Sequence, residues 1–302
     1  MFGLGKPKPV TEREAEGEIE RVYHEIKQVM RVTGINLNFR TWAGYENFFP
    51  AMWDAMRPNA ETRRFEDAAD RIRAEAVRAT EHLGKLDAAT SLRLGESQSY
   101  QIRRALDLYH YINPKLLVFT AAVSLALDGE RTGSETESVE LIERGAPARM
   151  YPMEMVAEEP EDTRTQELFD DIKKTLSLSS INSDYRTLAL WSDYLAAGWK
   201  RLKPITESEE YKQASEHLRL KARDLARTLP YSVPLSRERV EELGEDADEI
   251  IETTWKFERI LSSLIHNIAL FELDWRTPDT LEESPFPVAA RRDMGIGQGG
   301  AR

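Results

Sequence analysis

The sequence predicts an all-α protein made of two tandem, diverged copies of one helical unit, packed as a pseudo-twofold dimer. Three observations carry that expectation. Apolar residues recur at helix-face spacing, alternating runs of strand length are scarce, and one stretch of the chain returns 146 positions later.

The first element places Ile19, Val22, Tyr23, Ile26, Val29 and Met30 on one face and is expected to end near Gly34, a residue type that suits a helix stop. Residues 35–43 follow, INLNFRTWA, and reappear as residues 181–189, INSDYRTLA. The match extends both ways at the same spacing: Tyr23, Ile26 and Lys27 align with Phe169, Ile172 and Lys173, and Trp53, Pro58 and Glu61 with Trp199, Pro204 and Glu207. Next, Arg63, Arg64, Arg71, Arg73 and Arg78 stand among Glu66, Asp67, Asp70 and Glu75, the pattern of a solvated helix face laced with ion pairs. A further stripe runs through Ile102, Leu106, Tyr109, Ile112, Leu116 and Leu117 toward Leu127, and Pro114 within it is expected to kink or restart the helix. In the second copy the register here moves to 148 positions, so that Ile250 and Phe257 answer Ile102 and Tyr109.

These alignments divide the chain into a first helical repeat at 1–130, a connecting loop rich in Gly, Ser and Pro at 131–155, a second repeat at 156–290 and a tail at 291–302. The glycine-rich end of that tail has no strand before it or helix after it, which predicts a disordered terminus and not a phosphate loop. Two homologous units in one chain are expected to pack about an approximate twofold axis, with the pocket between them. Whether that pair dimerises again is left open.

Composition narrows the function. With 302 residues and 41% hydrophobic content the chain can fill a real core, while a net charge of −12 works against nucleic acid or an anionic membrane as partner. The absence of cysteine removes disulfides, thiolate metal sites and thiol nucleophiles, helical thiol peroxidases among them, and points to the reducing cytoplasm. Gly3, Gly5, Pro7 and Pro9 interrupt the start of the chain where a signal peptide needs a continuous apolar run, and no stretch is apolar for long enough to span a membrane. None of the five histidines has the spacing of a metal-binding helix, so no metal is expected. The chain also lacks the GxSxG and GxxxxGK[ST] patterns of serine hydrolases and P-loop enzymes.

Comparison of the two copies isolates two residues. Asp184 answers Asn38, and Asn113 answers Leu261. Asp184 stands where one helix stops and another starts, so position alone leaves helix capping and acid–base chemistry both open. Asn113, followed by Pro114, is in the first instance the N-cap of a restarted helix, with an amide able to hold a water or a carboxylate as the other reading.

Three stretches then take on a joint meaning. Residues 111–117 (YINPKLL), 183–191 (SDYRTLALW) and 284–288 (SPFPV), in this order and together with the internal duplication, resemble the signature segments of the group I, or DL-type, 2-haloacid dehalogenases. The resemblance spans roughly residues 10–288. It implies an all-α pseudodimer that hydrolyses the carbon–halogen bond of 2-haloalkanoic acids without metal or cofactor. It places the general base on Asp184 and a water-holding amide on Asn113, and it marks Thr62 and Glu66, one helical turn apart, as positions tied to activity. For those two the alternative is a plain surface ion-pair network.

The expected substrate-binding set is Ser183, Asn182, Tyr185, Gly34, Leu37, Leu116 and Lys115. Backbone amides at the helix starts near Asp184 and Asn113 are expected to bind anions, with Lys115 as a candidate to steer the substrate carboxylate or else simply exposed. The family carries larger aromatics where this chain has Gly34, Leu37 and Leu116, and alanine where Asn182 stands, which predicts a wider, more polar cleft. Two other readings compete: a hydrolase or isomerase of another small carboxylic acid, and a non-catalytic helical binding protein in which both residues only cap helices.

Overall fold

The computed structural model describes residues 8–133 and 139–291, and the glycine-rich terminus lies outside them. Among the described residues the architecture is all-helical, and the only β pairings are two isolated bridges. Five helices precede the connector: α1 (Gly17–Val29), α2 (Leu37–Trp42), α3 (Phe48–Ala60), α4 (Arg63–Thr80) and α5 (Glu96–Leu127). After it come α6 (Thr163–Leu176), α7 (Ser183–Leu188), α8 (Ser192–Thr206), α9 (Glu209–Arg227), α10 (Arg237–Glu242), α11 (Ala247–Glu272) and α12 (Pro278–Glu282).

The bounds of α1, α2 and α4 recur in α6, α7 and α9 within about a residue at the 146-position offset, and local contacts recur with them. Trp53 Nε1 donates to Glu25 at 2.8 Å, and Trp199 Nε1 donates to Asp171 at 2.8 Å. The Thr62 hydroxyl caps α4 by accepting from the Phe65 N–H, as Ser208 caps α9 by accepting from Tyr211. The Val10 N–H reaches the Arg40 carbonyl at 2.9 Å, as Val156 reaches Arg186 at 3.1 Å. Each of these pairs is separated by the same 146 positions. The two long helices, α5 and α11, form the largest helix contact, and one hydrophobic core draws side chains from both halves. That shared core takes in buried side chains of the two short helices α2 and α7, one from each half.

Several local expectations fail for identifiable reasons. The turn that ends α1 is taken by Arg31 at φ 59°, ahead of Gly34. Pro114 does not restart its helix: α5 runs unbroken through it from Glu96 to Leu127. The carbonyl of His110, four residues earlier, loses its helical N–H donor to the proline ring. It is satisfied instead by Arg73 Nε at 3.0 Å. Arg73 is therefore fully buried, and the α4 charge cluster is not one solvated face.

Candidate active site

Asp184 lies in the first turn of α7 and is 3% exposed. It is not the N-cap; that position belongs to Asn182, in extended conformation at φ −64°, ψ 150°, and its side chain makes no capping bond. Asn36 has the same role at α2, which places Asn38 in the position equivalent to Asp184. Asn113 sits inside α5, so it caps nothing and offers no helix start to an anion. Its Nδ2 donates to Asp184 Oδ1 at 2.6 Å, while its own Oδ1 is buried without a partner.

These residues close around one cleft. Asn36, Leu37, Asn38, Asn182, Ser183 and Asp184 form one side, and Asn113 and Leu116 from α5 with Phe257, Ile260, Leu261 and Leu264 from α11 form the other. Ten of the lining positions form five pairs related by the repeat: Asn36 with Asn182, Leu37 with Ser183, Asn38 with Asp184, Asn113 with Leu261, and Leu116 with Leu264. The wall is therefore two similar halves of which one carries the acid and the other its amide partner. The cleft has about 20 Å³ of water-accessible space. Around it Asn36 Oδ1, both amide atoms of Asn38 and Asn182 Oδ1 are buried without hydrogen-bond partners. Orphaned polar atoms cost about 1–3 kcal/mol each, so this concentration marks a place shaped for a polar guest.

Burial raises the Asp184 carboxyl to about 7, against the opposing effect of the Asn113 hydrogen bond and of its own backbone N–H. An acid so placed exchanges its proton near neutrality, the property a general base needs. The Tyr109 hydroxyl holds α7 from behind, 3.1 Å from the Ser183 carbonyl and 2.7 Å from the Thr187 hydroxyl.

The remaining candidates fall elsewhere. Tyr185 is fully buried and lines an adjoining chamber, with its hydroxyl accepting from Asn267 at 2.8 Å. Gly34 does not widen the cleft: a Cβ there would meet Met153 Cβ at 2.8 Å, so the connector fills the space. Lys115 is fully buried, not exposed and not free to steer a substrate. Its ammonium pairs with Glu66 at 2.9 Å and donates to the Met30 carbonyl and the Tyr111 hydroxyl, each at 3.0 Å. Burial disfavours that charge, yet Glu66 and Tyr111 together outweigh it and hold the Lys115 pKa above its ordinary value. Thr62 and Glu66 are buried as well, so the surface reading of this pair fails: Thr62 caps α4 and Glu66 anchors α5 through Lys115. Phe286, from the third signature stretch, packs edge-on against Tyr111 at 5.4 Å and belongs to this buried cluster, not to the cleft. Sequence reasoning did not name Asn36, Phe257, Ile260 or Leu264 as lining residues, although the repeat pairs two of them with Asn182 and Leu116.

Residues 33–185 match the family model described as halocarboxylic acid dehydrogenase DehI. An (R)-2-haloacid dehalogenase of Pseudomonas putida is 30% identical over 278 residues, covering 88% of this chain and 91% of its own. A configuration-inverting 2-haloacid dehalogenase of Pseudomonas sp. (strain 113) is 27% identical, covering 72% of this chain and 74% of its own. A solved D-2-haloacid dehalogenase in complex with L-LA superposes with a TM-score of 0.81 at 28% identity, covering 89% of this chain and 96% of that one. Among the described residues no helix is long and apolar enough to cross a membrane.

Proposed function

The chain belongs to the DehI family of 2-haloacid dehalogenases and hydrolyses carbon–halogen bonds of 2-haloacids, and from that premise we propose that Asp184 activates the attacking water while Asn113 holds it. The observation that supports this reading is the buried 2.6 Å contact between the two side chains. An ionised carboxylate only accepts hydrogen bonds, so the Asn113 amide presents its NH₂ to Asp184 and leaves Oδ1 free. A water seated beside this pair donates one proton to the second carboxylate oxygen and the other to Asn113 Oδ1. Its lone pair is then turned toward the substrate carbon.

Displacement proceeds as that water oxygen bonds to the carbon bearing the halogen, the carbon–halogen bond breaks with its electron pair leaving on the halide, and Asp184 takes the water proton. The product is the 2-hydroxy acid, inverted at the reacting carbon because the attack is in line. Asn38, buried with neither amide atom bonded, supplies a donor for the substrate carboxylate. The family's configuration-inverting members fit this single displacement. The cysteine-free composition fits action in the cytoplasm.

The test is halide release from the separate D and L enantiomers of 2-chloropropionate, with the configuration of the lactate determined. Turnover with inversion is expected, and Asp184→Asn should lower it by about two to four orders of magnitude. Retained turnover in that variant would remove Asp184 from the mechanism.

A further inference from the structure

The space around Asp184 is small, but it shares Asn182, Ile260 and Leu264 with an adjoining chamber of about 170 Å³. This chamber is a property of the second repeat alone. Its wall includes Arg259, Ser263 and Asn267, and the positions 148 residues earlier in the first repeat are Tyr111, Lys115 and Phe119. Those three are fully buried. Lys115 crosses to the carbonyl of Met30, whose counterpart Leu176 is half-buried and lines the chamber. The first repeat therefore plugs with a lysine and two rings the space that the second leaves open, and the open side is the one that carries Asp184. The Asn267 amide is already engaged, donating to the Tyr185 hydroxyl at 2.8 Å and accepting from Tyr211 at 2.6 Å, so what it offers a guest is mostly contact surface. Leu176, Leu178, Ile260 and Leu264 make the rest of the wall largely apolar.

We propose that this chamber is a subsite for the substrate's alkyl chain, and that the enzyme acts on 2-haloalkanoic acids with chains longer than that of 2-halopropionate. The carboxylate and the halogen-bearing carbon stay beside Asp184, and the chain passes Ile260 and Leu264 into the second repeat. This rests on the dehalogenation site proposed above. Each methylene transferred from water to such a wall favours the reaction by about fourfold.

The experiment compares kcat/KM for 2-bromopropionate and 2-bromohexanoate, with halogen and acid group held constant. The wild type is expected to prefer 2-bromohexanoate by on the order of tenfold or more. Ser263→Leu, which fills the chamber, should lower the hexanoate-to-propionate ratio by roughly tenfold, with folding checked by thermal melting. Leu178→Phe narrows the chamber from a half-buried position and supplies the same readout if Ser263→Leu does not fold. Bromide release from 2-bromopropionate with none from 2-bromohexanoate overturns the subsite and leaves the catalytic assignment standing. So does a ratio unaltered in a folded variant. Release from neither acid overturns both readings.

Discussion

Asp184→Asn should make the protein more stable at alkaline pH. Burial moves the carboxyl from the ordinary 3.8 to about 7, which corresponds to about 4 kcal/mol against the ionised form. Because the folded state binds this proton more tightly than the unfolded one, the contribution to stability is complete below about 3.8. It declines as pH rises and is lost above about 7. Asparagine has nearly the same shape, still presents an oxygen to the Asn113 donor and carries no charge at any pH. Other titrating groups are common to both proteins and cancel in the difference. Urea denaturation of wild type and variant at pH 4.5 and 8.5 should therefore show the variant's advantage growing by about 3 kcal/mol across that span. An advantage that does not change with pH, or a variant less stable at pH 8.5, would contradict a carboxyl raised by burial.

Activity should follow the same proton. If the ionised Asp184 is the base, kcat/KM for a 2-haloacid rises with pH toward about 7 and levels above it; a profile flat from pH 5 to 9 would count against it. Lys115→Met leaves Glu66 buried without its cation and should cost about 3–5 kcal/mol in urea denaturation, whereas Lys115→Met with Glu66→Leu should recover most of that loss. A small effect of the single change would mean that the buried pair contributes little to holding α5.

The all-helical class was legible because helix periodicity is local, and the repeat was legible because INLNFRTWA and INSDYRTLA keep their apolar positions. Asp184 and Asn113 stood out because they break that repeat, and the structure brings them together. Side-chain partners across the molecule were not legible. Pro114 reads locally as a helix breaker, and only Arg73 from α4 explains how α5 continues through it. Lys115 reads as exposed because lysine usually is, and its burial depends on Glu66, distant in sequence. Gly34 reads as added room because nothing nearby reveals that Met153 occupies the space. The cleft's Asn36 and Leu264 were recoverable in principle, since each is the repeat partner of a residue already singled out.

The central claim, that a water and not the Asp184 carboxylate attacks carbon, is tested most directly by a single turnover in heavy-oxygen water with enzyme in excess over substrate. Direct attack puts the label into the 2-hydroxy acid in the first turnover and none into the protein. An ester intermediate would give an unlabelled product first and leave the heavy oxygen in the peptide that carries Asp184, and that finding would contradict the role assigned here to Asp184 and Asn113.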